Sequence, residues 1–211
     1  MTAETALEVL SRTAALCAPR TVRGIVLPAL LFFTDPARVA DPEAVAMRLP
    51  RGAGVVFRTF GAPDAVERGL RLRAITTARG LILLVGADIA LADTIGADGV
   101  HLPERLRDQA AALRLLQPKG LITVAAHSRA AVEAAKALDV DALVVSPVFA
   151  SNSPSAGPPL GLEGLSALVR ATGKPVYALG GLRPETVEGL EKTGIVGIAA
   201  VEAMASENPR I

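Results

Sequence analysis

Eight short apolar runs recur along the chain: VLPALLFFTD, AGVVFRTF, LILLVG, DGVHL, LITVAAH, ALVVSP, PVYALGG and IVGIAAV. Many end on a polar residue or a glycine. Between them lie LRLRAITTAR, IALADTI, RLRDQAAALRLL, RAAVEAAKAL, LEGLSALVRAT and PETVEGLEK, with apolar residues three and four apart, the period of a helix with one buried face. Strands that are apolar along nearly their whole length must be covered on both sides. That requirement selects a parallel sheet with helical crossovers. Eight strand–helix units favour closure into an α/β fold, a single (β/α)8 TIM barrel, over an open doubly wound sheet. A length of 211 residues is near the lower limit for such a barrel, so short loops and a shortened last helix are expected before AMASENPRI.

An amphipathic helix over about residues 3 to 17 has no strand before it and is expected to cap the barrel bottom. This gives an N-terminal capping piece, 1–22, and a barrel domain, 23–211. Pro42, Pro63 and Pro184 stand where helices should start, and Gly80, Gly120 and Gly173 follow helices. The phrases GADGV, DVDALVV and, more loosely, TGIVGIAAV recur just before strands, as repeated βα units would produce.

Composition narrows the function classes. Lys plus Arg (22) nearly balance Asp plus Glu (21), and the basic residues are scattered. The footprint of a nucleic-acid binder or an anionic-membrane binder is absent, so a small-molecule ligand is expected, with no nucleic acid and no membrane as partner. The opening MTAETALEVL carries Glu4 and Glu8 where a secretory leader needs a basic start and an unbroken apolar run, and no stretch of about 18 uncharged apolar residues occurs. A cytoplasmic protein, assembled as a homo-oligomer, is expected. Cys17 is the single cysteine and reads as a small hydrophobe in a helix.

In a barrel of this kind the chemistry lies at the C-terminal strand ends. There the chain places Thr34, Asp35, Arg58, Thr59, Gly86, Asp88, His101, Glu104, His127, Ser128, Ser146, Gly180, Gly181 and Glu202. His127 ends LITVAAH and either serves as a general acid/base or bonds a backbone carbonyl. His101, within GVHLPE, reads as a packed, hydrogen-bonded histidine. Arg58 either clamps an anion in two-pronged fashion or is a rim arginine. Gly180 and Gly181 either let the backbone approach a phosphate or make a tight turn. Glu202 opposes a phosphate at the end of strand eight.

In their order, LLFFTD, GADGVHL, AAHSRAAVEAAKA, SPVFASNS, PPLGLEGL and ALGGL resemble the thiamine phosphate synthase family, which includes TenI-type thiazole tautomerases. The similarity runs over roughly residues 27 to 204. It implies the barrel, a thiazole or pyrimidine (phosphate) ligand, and a sixth-loop phosphate site at Ser151 and Ser153. In the synthase a pyrimidine diphosphate ionises and the thiazole phosphate captures the cation, with magnesium and basic side chains holding the diphosphate. Here the family's Gln-x-Arg-x-Lys reads Val56, Arg58 and Phe60; its Asn-Asp-Arg reads Gly86, Ala87 and Asp88; its second metal carboxylate falls at Leu106; and Pro154 replaces the sixth-loop lysine.

The tautomerases need an acid/base near the ring and no metal, and His127 matches their histidine. The resemblance therefore implies a TenI-like protein that lacks normal synthase activity. It would use His127 as acid/base, Arg58 as anion clamp, and Ser146, Ser151, Ser153, Gly180 and Gly181 as ligand contacts. No cofactor is expected. The alternatives are an active synthase with Mg2+ rebuilt around Asp88 and Glu104, and a noncatalytic ligand-binding or regulatory barrel.

Overall fold

The computed structural model describes residues 4–151 and 157–206. Its eight parallel strands are β1 (Leu30–Phe33), β2 (Gly54–Phe57), β3 (Ile82–Gly86), β4 (Gly99–Leu102), β5 (Leu121–Ala126), β6 (Ala142–Val145), β7 (Val176–Leu179) and β8 (Gly197–Ala200). They are hydrogen-bonded in chain order, and β8 closes on β1 through Ile198 opposite Leu30. The eight apolar runs are thus the eight staves of a (β/α)8 barrel.

Glycines decide how tightly the interior fills. A Cβ on Gly99 would stand 2.0 Å from the Leu121 carbonyl oxygen, and one on Gly54 would stand 2.6 Å from the Leu31 side chain. A Cβ on Gly197 would meet the Ala29 oxygen at 2.5 Å and the Tyr177 ring at 2.8 Å. Small residues on one strand make room for Leu31, Leu121 and Tyr177 on the next, which packs a solid floor rather than a pore.

The outer helices are α1 (Ala6–Ala15), α2 (Pro42–Arg48), α3 (Ala65–Arg79), α4 (Ile89–Thr94), α5 (Ala110–Leu116), α6 (Arg129–Ala135), α7 (Gly161–Thr172) and α8 (Glu202–Ala205). Helix α1 starts on a capping box in which Thr5 Oγ1 accepts the Glu8 N–H and Glu8 accepts the Thr5 N–H. Its buried Ala6, Leu10 and Ala14 pack toward α8, β8 and β1, where the four-residue α8 covers little wall. Cys17 follows α1 and is buried; burial pushes its thiol up to about 11, so it stays protonated and unreactive. Among the described residues no helix is long and apolar enough to cross a membrane.

Some helix boundaries differ from expectation. Pro42 does open α2 behind the Asp41 cap, and Gly80 and Gly173 end α3 and α7 with left-handed φ values of 64° and 67°. Pro63, however, precedes the Asp64 cap of α3, and Gly120 lies beyond the Gln117 end of α5. The run RLRDQAAALRLL divides into a 3-10 turn, Glu104–Gln109, and α5.

PETVEGLEK does not form an α-helix. The Thr186 hydroxyl takes the Arg183 N–H and bonds the Gly181 carbonyl, and Gly189 turns left-handed at φ 84°, leaving a short 3-10 turn at Leu190–Thr193. A two-stranded hairpin, Thr21–Val22 with Ile25–Val26, precedes the barrel and was not anticipated from the sequence.

Candidate active site

The C-terminal mouth of the barrel opens into a cleft of about 1320 Å³. Its walls include Phe33, Arg58, Gly86, His101, Ala125, His127, Ser146, Leu179 and Ala199, which are residues at or near the ends of all eight strands. A ligand can therefore be met from all sides by side chains carried on short, rigid staves.

His127 follows β5 directly, and three groups fix it. Its backbone N–H donates to Glu104 at 2.8 Å. Its Nδ1 lies 3.1 Å from the Ser146 carbonyl oxygen and 3.0 Å from Ser146 Oγ. A carbonyl oxygen can only accept, so Nδ1 carries the hydrogen of the neutral ring. Nε2 then keeps its lone pair and is the nitrogen that can take a proton at the cleft. Ser146, at the end of β6, is itself buried in the cleft wall.

His101 behaves differently. It is buried, its Nδ1 is 2.9 Å from Thr123 Oγ1, and Phe33 meets it edge-on at 4.9 Å. Burial foremost, then the charges of Arg58 and His127, push it down to about 3. It remains a neutral, packed imidazole on the cleft floor, as the sequence reading held.

Arg58 is held rather than free. Its Nε donates to the Thr34 carbonyl at 2.7 Å, one guanidinium nitrogen reaches Asp35 at 3.3 Å, and Asp35 is shared with Arg38 at 2.9 Å. The guanidinium carbon lies 5.6 Å from the Phe33 ring centre and 5.1 Å from that of Phe60. Burial lowers Arg58 to about 10 against the pull of Asp35, so it stays charged at neutral pH.

Gly180 and Gly181 have left-handed φ values of 94° and 68° and carry the β7 loop past the β6 loop. Phe149 N–H donates to the Gly180 carbonyl at 3.0 Å, and a Cβ on Gly181 would lie 2.4 Å from the Ala150 oxygen. Glycine is therefore required here by close backbone contact as well as by the turn. Ser151 lines the cleft; Ser153 lies outside the described residues. Glu202, the first residue of α8, faces the cleft and is exposed.

The carboxylates offered for magnesium are committed elsewhere. Asp88 Oδ1 accepts the Leu91 N–H at 2.9 Å as the cap of α4, and Glu104 holds the His127 N–H. Among the described residues, no three His, Cys, Asp or Glu side chains gather as a metal site.

The cleft also takes in Arg38, Arg105 and Arg183, which the sequence did not single out, and Phe60, which it marked only as the replacement for the family's strand-two lysine. Each stands within three residues of a strand-end residue named above.

A barrel whose mouth gathers histidine, arginine and paired glycines defines a class, that of (β/α)8 barrels with a ligand-sized cleft at the C-terminal strand ends. The profile of the family described as thiamine monophosphate synthase matches residues 30–204, and the chain belongs to that family. A putative thiamine-phosphate synthase of Geobacter sulfurreducens is 34% identical over 151 residues, 71% of each chain. A thiamine-phosphate synthase of Gloeobacter violaceus is 36% identical over 79% of this chain and 49% of its own length. Among solved structures, thiamine phosphate pyrophosphorylase from Pyrococcus furiosus aligns with a TM-score of 0.72 and 28% identity, over 87% of this chain and 90% of that one.

Proposed function

We propose that this member of the family moves a proton on a carboxylated thiazole phosphate, a TenI-type isomerisation, and does not run the magnesium-dependent coupling. His127 carries this reading: it lines the cleft and its Nδ1 is tied to Ser146, which leaves Nε2 available as the base. In the isomerisation Nε2 takes a proton from one position of the ring system and a proton is returned at another. The atoms of the ligand are conserved and its double bonds shift. Arg58 and Arg38 offer positive charge to the ligand's carboxylate; Ser151, Gly180 and Gly181 lie where its phosphate would contact the loops after β6 and β7.

The commitment of Asp88 and Glu104 to backbone groups supports the same reading, because diphosphate departure needs dense positive charge that these positions do not recruit. The test is conversion of the non-aromatic tautomer of the carboxylated thiazole phosphate to its aromatic isomer by the wild type and by His127→Asn. Loss in the variant supports the assignment, and equal turnover overturns it.

A second reading, active thiamine phosphate synthase, is favoured by the names of relatives 31–36% identical to this chain. It predicts magnesium-dependent product from pyrimidine diphosphate and thiazole phosphate.

A further inference from the structure

Phe60 is the residue at the cleft that the fold does least to justify. Thr59 to Ala62 form a tight turn closed by the Ala62 N–H on the Thr59 carbonyl at 3.0 Å, with φ of 51° at Phe60 and 78° at Gly61. Positive φ at both central positions makes this a type I′ turn, a geometry that favours Asn-Gly and penalises a bulky side chain at the first place. The Phe60 side chain is also 64% exposed, in a chain with five phenylalanines, one tyrosine and no tryptophan. Backbone strain and an exposed ring are both unfavourable, and no burial offsets them.

What the turn achieves is placement. It carries the ring to the cleft wall, beside the Arg58 guanidinium, itself bracketed on its other side by Phe33. Arg58 is further anchored through Thr34 and Asp35, so the ring lies beside a fixed cation. An aromatic face next to a fixed cation at the cleft mouth matches one ligand chemistry, a flat aromatic heterocycle bearing an anionic group. The ring is met by Phe60 and the anion by the arginines.

We infer that Phe60 is a specificity-determining aromatic platform, selecting a flat anionic heterocycle over non-aromatic anions of the same charge. This deepens the proposed function and rests on its heterocycle ligand, though not on His127.

Phe60→Asn and Phe60→Ala remove the ring, and Phe60→Tyr keeps it. Calorimetric titration would compare three probes: a carboxylated thiazole phosphate, an aminopyrimidine phosphate, and the saturated thiazolidine counterpart of the first. The wild type should prefer a flat probe. The ring-free variants should lose about tenfold or more in affinity for it, with a change under about twofold for the saturated probe, while Phe60→Tyr stays within about twofold of wild type; tenfold corresponds to one stacking-sized contact. Phe60→Asn should also raise the melting temperature, because asparagine suits the turn.

Equal losses on flat and saturated probes, unchanged affinity in the ring-free variants, or a wild type that binds no flat probe would each overturn the platform. A wild type that prefers the pyrimidine and loses it in the ring-free variants would keep the platform and overturn the thiazole reading.

Discussion

The two ends of the barrel use the same residue types to opposite effect. At the bottom, Asp98 precedes β4 and accepts the Leu83 N–H of β3 at 2.8 Å while pairing with Arg73 of α3 at 2.8 Å. Asp141 precedes β6 and repeats the arrangement with the Ile122 N–H of β5 and with Arg114 of α5, at 2.8 and 2.6 Å. Arg23 of the hairpin turn adds a third partner to Asp141 at 3.0 Å, tying the hairpin to the barrel. At the mouth, Arg105 and Arg183 line the cleft with no carboxylate in ion-pair range among the described residues, and His127 presents a basic nitrogen. Satisfied charge locks the bottom, whereas the mouth combines the paired Arg58 and Arg38 on Asp35 with cations that face the cleft.

If this division holds, substitutions at the two ends should separate activity from stability. The largest effect on activity is expected at the mouth. Removing the acid/base in His127→Asn should lower isomerase turnover by about 10²–10⁴-fold with the melting curve nearly unchanged, read by steady-state assay beside thermal unfolding.

The largest effect on stability belongs to the bottom. Asp141→Ala removes the nearest carboxylate of the buried Arg114, which keeps the Gly120 carbonyl and the more distant Asp139, and frees the Ile122 N–H; it should cost about 2–3 kcal/mol in denaturant unfolding. Activity per folded molecule should persist. Asp98→Ala, at a half-exposed pair, should cost less, about 1–2 kcal/mol. A loss of turnover in the Asp141 variant at conditions where it is folded would break the comparison.

A pH-dependent effect crosses from mouth to stability through His101. Its native pKa of about 3 lies below the ordinary value of 6.5, so between these values the unfolded chain binds the extra proton and the native chain does not. Its contribution is fully present above pH 6.5 and is lost as pH falls toward 3, at up to about 1.4 kcal/mol per pH unit. His101→Gln should flatten that limb of the stability curve; an unchanged slope would show that other groups set it.

Much of the bottom was visible in the sequence and much of the mouth was not, for a physical reason. Strands buried on both faces leave continuous apolar runs, so all eight were legible, whereas GADGV and DVDALVV read only as echoes of a repeated βα unit and gave no sign of the ties that Asp98 and Asp141 make. The short hairpin escaped notice because two-residue strands carry no period to read. PETVEGLEK misled because its apolar spacing suits a helix, while Thr186 and Gly189 give the backbone other partners and another turn.

At the mouth, His127, Ser146 and Arg58 were found because strand ends were searched. Phe60 and Arg183 were not singled out as ligand contacts, because residues three and four places past the ends of β2 and β7 read as loop until the loop's path is known. Glu104 was read for its charge as a metal ligand; the structure uses it to hold the His127 backbone.

Metal-free proton transfer at the mouth is tested most directly by giving the purified wild-type protein the non-aromatic tautomer of the carboxylated thiazole phosphate in excess EDTA and, separately, pyrimidine diphosphate with thiazole phosphate and magnesium. Isomer formation in EDTA with no thiamine phosphate in the magnesium reaction is the predicted result. Magnesium-dependent thiamine phosphate formation, with no isomerisation in EDTA, would contradict it.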